Sequence, residues 1–200
     1  MHSITVEGGT MRILALNGSP RKDGSTARVL DEIGRIAEIA GAEVARYDLI
    51  DLDISDCREC MECKEGDGCV TEDDMAVMYD ELQRSDVIIL GSPVFMAAET
   101  GITKCFVDRL YALLGPRREG EFEKRLREGK KAIVVFTCGL ADGHMVYNHL
   151  NTRYFSIFVK TLGCSDIRSF IIGGASSKRD VLGLPAARAA LEETSRFLAD

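Results

Sequence analysis

Short apolar segments that end in turns of small residues are the feature that most constrains the fold of this chain. Residues 12–17, 86–90 and 131–137 are such segments, and each is followed by a turn that contains Gly together with Ser, Ala or Thr. Near-continuous apolar runs of this length are typical of strands buried on both faces of a parallel sheet. The three turns should then lie together at the carboxyl edge of that sheet, where ligands bind in open α/β folds.

The rest of the chain alternates in the same way. Two further strands are predicted at residues 42–48 and 167–172, and helical patterns occur over residues 27–40, 75–84, 102–114, 145–162 and from Pro185 onward. This alternation predicts one doubly wound α/β domain with a five-stranded parallel sheet, for which 2-1-3-4-5 is the natural strand order. Residues 1–10 are expected to form an N-terminal extension before a domain that covers residues 11–200.

Composition limits the function. Hydrophobic residues make up 46% of the 200 residues and charged residues 28%, as in an ordinary globular domain. The formal net charge of -7 argues against a general nucleic-acid-binding surface, which is normally basic. The sequence contains neither the run of about 20 apolar residues that spans a bilayer nor a secretory signal pattern. We therefore expect a cytoplasmic protein without nucleic-acid or membrane partners.

Four closely spaced cysteines follow the second predicted strand. Cys57, Cys60, Cys63 and Cys69 are separated by two, two and five residues. Thiolates at such spacing can converge on one centre, and positive φ angles at glycines 66 and 68 would bring Cys69 back to complete it. The spacing suits a cubane iron-sulfur cluster and, less well, a zinc ion. Disulfides are disfavoured, because the total of 7 cysteines is odd.

The turn after the first strand contains candidate anion ligands. It is followed directly by a helix, so backbone N–H groups and the helix dipole point toward one spot. Ser19, Ser25 and Thr26 add hydroxyl donors, and Arg21 adds a cation. The turn contains neither the Gly-x-x-x-x-Gly-Lys-Ser/Thr nor the Gly-x-Gly-x-x-Gly pattern, and a single phosphate fits it best. The alternative is that the Ser and Thr residues only cap the helix.

The turn after the third strand, residues 91–101, suits a flat aromatic ligand. Ser92 and its small neighbours let a ring approach the backbone, Phe95 can lie against the ring, and main-chain amides can meet its polar edge. The turn at residues 138–144 is the third that should reach this edge. His144 there could supply a proton, although a surface histidine is the simpler interpretation, and His149 is given no role.

These motifs resemble those of the iron-sulfur flavoproteins, which are flavodoxin-like proteins of the NADPH-dependent FMN reductase superfamily. The cysteine spacing resembles their compact cluster motif, and residues 18–21 with 24–26 are similar to their FMN phosphate loop. Residues 91–96 resemble their Gly-Ser-Pro-Val-Tyr-Phe flavin loop, with Phe95 and Met96 in place of Tyr and Phe. The resemblance implies FMN contacts from Ser19, Pro20, Arg21, Ser25, Thr26, Ser92, Pro93, Val94, Phe95 and Met96.

The same resemblance implies a mechanism. A ferredoxin-like donor would reduce a [4Fe-4S] cluster on the four cysteines, electrons would pass singly to FMN, and FMN would reduce an acceptor such as oxygen or peroxide. The family implies a homodimer or tetramer, and no side chain is assigned as a catalytic acid or base. The alternatives are an NAD(P)H-dependent FMN or quinone reductase with an incidental metal site, and a non-catalytic redox sensor.

A charge-dense insert separates the third helix from the fourth strand. Residues 116–131 carry seven basic side chains, and the first interpretation is a solvated surface segment. A second hypothesis is that Arg117, Arg118 and Arg125 dock an acidic redox partner. The pair 108–109 just before the insert matches a pair common in the family and is predicted to be structural. The isolated cysteines 105, 138 and 164 are predicted to pack in the interior.

Overall fold

A five-stranded parallel sheet forms the centre of the molecule in the computed structural model, which describes residues 5–6, 9–176 and 180–199. Its strands are β1 Arg12–Asn17, β2 Glu43–Asp48, β3 Val87–Pro93, β4 Lys130–Thr137 and β5 Cys164–Ile172. They lie in the order β2-β1-β3-β4-β5, and every neighbouring pair is parallel. The predicted flavodoxin-like order 2-1-3-4-5 is confirmed.

Five helices cover the two faces of the sheet. They are α1 Ser25–Ile39, α2 Met75–Arg84, α3 Gly101–Arg109, α4 Asn148–Thr161 and α5 Pro185–Ala199. Alternate residues of the strands point to opposite faces, so β1 sends Ile13 and Ala15 toward α1 and α5, and Leu14 and Leu16 toward the other three helices. Met75 and Met78 are fully buried, as predicted for core residues.

The structure corrects two predicted helices. The helix predicted over 102–114 ends at Arg109 and continues as a 3₁₀ turn, Leu110–Leu113. The helix predicted over 145–162 is divided into a short helix, Gly143–Val146, and α4. The insert, predicted as a solvated surface segment, forms a hairpin of Leu114–Arg118 and Glu121–Lys124 whose second strand is exposed. The two turn residues, Glu119 and Gly120, both have a positive φ. The sequence did not predict this turn because its first position is usually Asn, Asp or Gly rather than Glu.

Near the N-terminus, Thr5–Val6 pairs antiparallel with Gly9–Thr10. The predicted extension covers residues 1–10, and its residues 1–4 and 7–8 lie outside the described residues. Within the described part of the chain, no helix combines the length and the apolar character needed to cross a membrane.

Candidate functional site

The turns that follow β1, β3 and β4 meet at one edge of the sheet, as predicted, and we call this region the strand-end site. The amide of Gly18 donates to the carbonyl of Gly91 at 2.7 Å, and the hydroxyl of Thr100 donates to the carbonyl of Gly18 at 2.6 Å. The amide of Val94 donates to the carbonyl of Thr137 at 2.8 Å. These bonds join the first turn to the second and the second to the end of β4.

The first turn leaves the N-terminus of α1 open to an anion. Helix α1 begins after Gly24 and has no side-chain cap, whereas α3 at the same edge is capped by Thr100, whose side chain accepts from the Thr103 amide. The turn itself is ordered by two bonds. The amide of Ser19 donates to Asn17 Oδ1 at 3.1 Å, and the amide of Arg21 donates to Ser19 Oγ at 3.1 Å. The uncapped helix start fits a phosphate better than the alternative that its hydroxyls serve only as caps.

The hydroxyl residues of the first turn lie in the interior at this edge. Ser19, Ser25 and Thr26 are buried, and Thr26 Oγ1 shares a hydrogen bond of 2.7 Å with Thr137 Oγ1 on β4. Arg21 is exposed. Their contact with a phosphate stays a prediction.

The second turn folds back on itself. The amide of Phe95 donates to the carbonyl of Ala98, and the amide of Ala98 donates back to Phe95, at 2.8 and 3.0 Å. Met96 and Ala97 between them have φ of 48° and 65°. Met96 is 98% exposed and Phe95 52% exposed. The amides of Val94, Phe95 and Ala98 already have partners, so the amides of this turn that could contact a ring are those of Met96, Ala97 and Glu99.

Helix α4 supports this turn through residues that the sequence did not single out. The Nε2 atom of His149 lies 3.1 Å from the carbonyl of Ala97. Arg153 pairs with Glu99 through both carboxylate oxygens, at 2.7 and 2.9 Å, and the Glu99 side chain is only 1% exposed. No local pattern marks these pairs, because their members are separated by more than 50 residues.

The segment between β2 and α2 contains the four clustered cysteines, and we call residues 51–74 the cysteine loop. Cys57, Cys60, Cys63 and Cys69 all line one cavity. Cys57 and Cys60 are exposed, Cys69 is half-buried and Cys63 is buried. Within the described parts of the chain, no three His, Cys, Asp or Glu side chains are close enough to share a single metal ion.

The backbone turns in this loop are not where the sequence suggested. Positive φ angles were expected at Gly66 and Gly68, but Gly66 has a φ of -104° and the left-handed residues are Glu59 and Met61, with φ of 53° and 65°. The chain therefore turns on either side of Cys60. The glycine prediction was wrong because two non-glycine residues take the strained positions that glycine would favour elsewhere.

Arg109, at the end of α3, is buried against the same cavity. Its guanidinium donates to both carboxylate oxygens of Asp73, to the carbonyl of Ser55 at 2.9 Å and to Cys69 Sγ at 3.3 Å. Burial alone would raise the pKa of the Cys69 thiol, but hydrogen bonds to Thr71 and Arg109 and the Arg109 charge outweigh burial and lower that pKa. Arg109 Nε is buried without a hydrogen-bond partner in the protein.

Two further cations hold the cysteine loop from the side of the hairpin. The Nζ atom of Lys64 donates to the carbonyl of Tyr111 at 2.6 Å and lies 3.6 Å from the centre of that ring. Arg125 donates to the carbonyls of Cys63 at 2.8 Å, Gly66 at 2.5 Å and Ala112 at 3.1 Å. Arg125 is half-buried and its guanidinium is bonded to these carbonyls, so it is less available to a docking partner than an exposed arginine. Arg117 and Arg118 are exposed on the hairpin.

The outer surface of the cysteine loop is acidic. Arg58 is its one exposed basic residue, and the exposed acidic residues are Asp51, Asp53, Asp56, Glu59, Glu62, Glu65, Asp67 and Glu72. The basic exposed positions of the adjacent hairpin therefore border an acidic surface. An approaching protein would meet opposite charges within one face.

Comparison with known proteins agrees with this geometry. Residues 11–172 match the family described as NADPH-dependent FMN reductase. The fold matches the NAD(P)H:quinone oxidoreductase from Methanothermobacter marburgensis with a TM-score of 0.70 and 16% identity, over 96% of each chain. It also matches an FMN-dependent NADH-azoreductase from Bacillus anthracis, solved in complex with FMN, with a TM-score of 0.68 and 14% identity, over 96% of this chain and 100% of the other. At these identities the two structures show the fold alone.

Two relatives in sequence are more specific. An iron-sulfur flavoprotein of Archaeoglobus fulgidus is 30% identical over 164 residues, which are 82% of this chain and 77% of the relative. An iron-sulfur flavoprotein of Clostridioides difficile is 34% identical over 136 residues, which are 66% of this chain and 56% of that relative. The chain belongs to the NADPH-dependent FMN reductase family and, within it, to the iron-sulfur flavoproteins.

Proposed function

We propose that this flavin-dependent oxidoreductase transfers electrons from a ferredoxin-like protein, through a [4Fe-4S] cluster in the cysteine loop and FMN at the strand-end site, to an acceptor such as oxygen or peroxide. One observation carries the proposal. All four clustered cysteines line a single cavity, and Arg109, which donates to Cys69 Sγ, lines the same cavity. Four thiols and a cation that donates to one of them suit a cluster of iron and sulfide.

For FMN, the chain offers a phosphate site and a ring site joined by hydrogen bonds. The uncapped start of α1, with Ser19, Ser25, Thr26 and Arg21 around it, would bind the phosphate. The turn at residues 92–96 would lie along the ring, supported from behind by α4. When bound, FMN accepts one or two electrons, whereas a cluster carries one at a time.

The two proposed sites lie at opposite ends of α3. Thr100 caps this helix at the strand-end site, and Arg109 ends it at the cysteine cavity. A helix of nine residues is about 14 Å long. The same rigid element therefore sets the position of both sites within one subunit.

A homodimer or tetramer is part of the proposal. Large apolar side chains are exposed where α4 begins and beside the strand-end site, including Met96, Met145 and Val146 at 98%, 73% and 54%. Contact with a second copy would cover them, and electrons could then pass between subunits. Light scattering on the purified protein tests the oligomeric state. We further propose a cytoplasmic location, where reducing conditions would keep the seven free cysteines available.

The decisive test is anaerobic purification followed by analysis of iron, acid-labile sulfide, zinc and FMN. We expect four irons and four sulfides for each FMN, as a [4Fe-4S] cluster requires. Cys60→Ser should lose iron and sulfide while FMN is retained. Cys105→Ser is the matched control, since Cys105 lies outside the cavity and a hydroxyl can still donate to Asp56. Zinc without sulfide would favour the zinc alternative and contradict the cluster.

The second candidate is an NAD(P)H-dependent FMN or quinone reductase. The family description favours it. Steady oxidation of NADPH by wild-type protein, at a rate unchanged in Cys60→Ser, would support this candidate. The ferredoxin-dependent function would be supported if reduced ferredoxin reduces FMN in the wild-type protein but not in protein that lacks the cluster.

A further inference from the structure

Arg109 combines deep burial, a fixed charge and direct contact with a cysteine sulfur. Its side chain is 1% exposed and that of its partner Asp73 is 3% exposed. The bidentate pair with Asp73 and the bond to the Ser55 carbonyl hold the guanidinium in one orientation. In that orientation one N–H meets Cys69 Sγ at 3.3 Å.

We propose that Arg109 is a positioning residue that raises the reduction potential of the cluster; this rests on the proposed function. Reduction adds a negative charge to the cluster and its thiolates. A donor bonded to a ligand sulfur and a nearby fixed cation both stabilise that added charge. They act strongly here because the pair is buried and poorly screened by water.

The Asp73 carboxylate does not cancel this effect. Arg109 lines the cysteine cavity and Asp73 does not, so the positive end of the pair faces the cysteines. The pair is then a fixed dipole with its donor end at Cys69.

If Arg109 had only a structural role, its replacement would affect stability and not the reduction potential. Arginine in the last turn of α3 also suits the helix dipole, and its bonds tie the cysteine loop to the helix. If that were its whole role, a loaded variant would lose stability but keep the potential of the wild-type cluster. The measurement must therefore be a potential rather than an activity.

The experiment is a redox titration of purified holoprotein, with the reduced cluster followed by electron paramagnetic resonance. At the wild-type midpoint, Arg109→Gln should lower the ratio of reduced to oxidised cluster about tenfold, which corresponds to about 59 mV for a one-electron couple. Arg109→Lys keeps the positive charge but loses the planar guanidinium that bonds Asp73 and Cys69 together. It should lower the ratio of reduced to oxidised cluster by less than Arg109→Gln does. Arg84→Gln, which removes an exposed charge from α2 outside the cysteine cavity, should change the ratio less than twofold.

The double variant Arg109→Gln with Asp73→Asn covers the case in which Arg109→Gln does not fold. It leaves no unpaired buried charge and keeps the net charge of the protein, and it should still lower the ratio. An unchanged potential in any of the loaded Arg109 variants overturns this inference alone. Wild-type protein without iron and sulfide overturns the proposed function, and this inference with it.

Discussion

The strand-end site and the cysteine loop are built in different ways. The strand-end site is made mostly of backbone: amides and carbonyls of three turns that the parallel sheet brings together. The cysteine loop has little regular structure, and side chains from elsewhere hold it in place, namely Lys64 within the loop and Arg109 and Arg125 outside it. A site made by sheet topology is difficult to remove with one substitution, whereas a site held by a few buried cations is vulnerable at each of them.

The largest expected effect is at the buried pair beneath the cysteine loop. Asp73→Ala leaves Arg109 buried without its carboxylate and should lower the free energy of unfolding by about 3–5 kcal/mol. Urea denaturation measures the change. Asp80→Ala, at an exposed position of α2, is the control and should change the free energy of unfolding by less than about 0.5 kcal/mol. If both variants lose the same free energy of unfolding, the Asp73–Arg109 pair does not stabilise the fold more than an exposed residue does.

The same pair predicts a pH dependence. Burial opposes ionisation of Asp73, but hydrogen bonds to Arg109, Ser55 and Met75 outweigh it and lower the pKa of this carboxyl. A carboxyl with a lowered pKa stabilises the folded state above its unfolded pKa of about 3.9, and that stability is lost as the pH falls. Wild-type protein should therefore lose more stability below about pH 4 than Asp73→Asn does.

The next effect tests the strand-end site. A Cβ on Gly18 would lie 1.9 Å from Thr103 Oγ1 and 3.0 Å from the carbonyl of Gly91, so Gly18→Ala forces the first and second turns apart. The strain should cost about 1–3 kcal/mol and weaken FMN binding about tenfold or more, while the iron content stays unchanged. Gly101→Ala at the same edge has open space around its Cβ and should bind FMN normally. Loss of iron in Gly18→Ala would mean that the two sites are coupled.

A smaller effect is expected at the hairpin side of the cysteine loop. Arg125→Gln removes charged hydrogen bonds to the Cys63 and Gly66 carbonyls and should cost about 1–2 kcal/mol. The cluster should then be lost faster in the presence of an iron chelator, at unchanged FMN content. Arg118→Gln on the exposed part of the same hairpin is the control. Equal rates of iron loss in the two variants would exclude the holding role of Arg125.

The smallest effect concerns the protein partner. Arg117 and Arg118 remain candidates for docking an acidic redox partner, and replacing both with Gln should slow reduction by ferredoxin at low salt by less than about tenfold. The difference should disappear as the ionic strength rises, because salt screens exposed charges. Stopped-flow reduction at several salt concentrations measures it. A rate that does not depend on ionic strength in either protein would remove the docking hypothesis.

Much of the fold was predictable because the relevant patterns are local. Apolar runs followed by small residues predicted three of the strands and the common edge of their turns, and the alternation of strands and helices predicted the strand order. The FMN and cluster ligands stay predictions. Local patterns failed where non-glycine residues take a positive φ, as at Glu59 and Met61 and in the hairpin turn. Glutamate and methionine rarely adopt this conformation, so the sequence does not predict it. They also failed where the role of a side chain depends on distant partners, as for His149 and Arg125.

The sequence by itself determined which chemical groups this protein has and the order in which strands, turns and helices present them. It contains four closely spaced thiols and two turns suited to a phosphate and a flat ring. Only the tertiary structure decided which charges face the thiols. Arg109 reaches Cys69 across 40 residues of chain and Arg125 reaches Cys63 across 62, and such contacts depend on how helices and hairpin pack rather than on neighbouring residues.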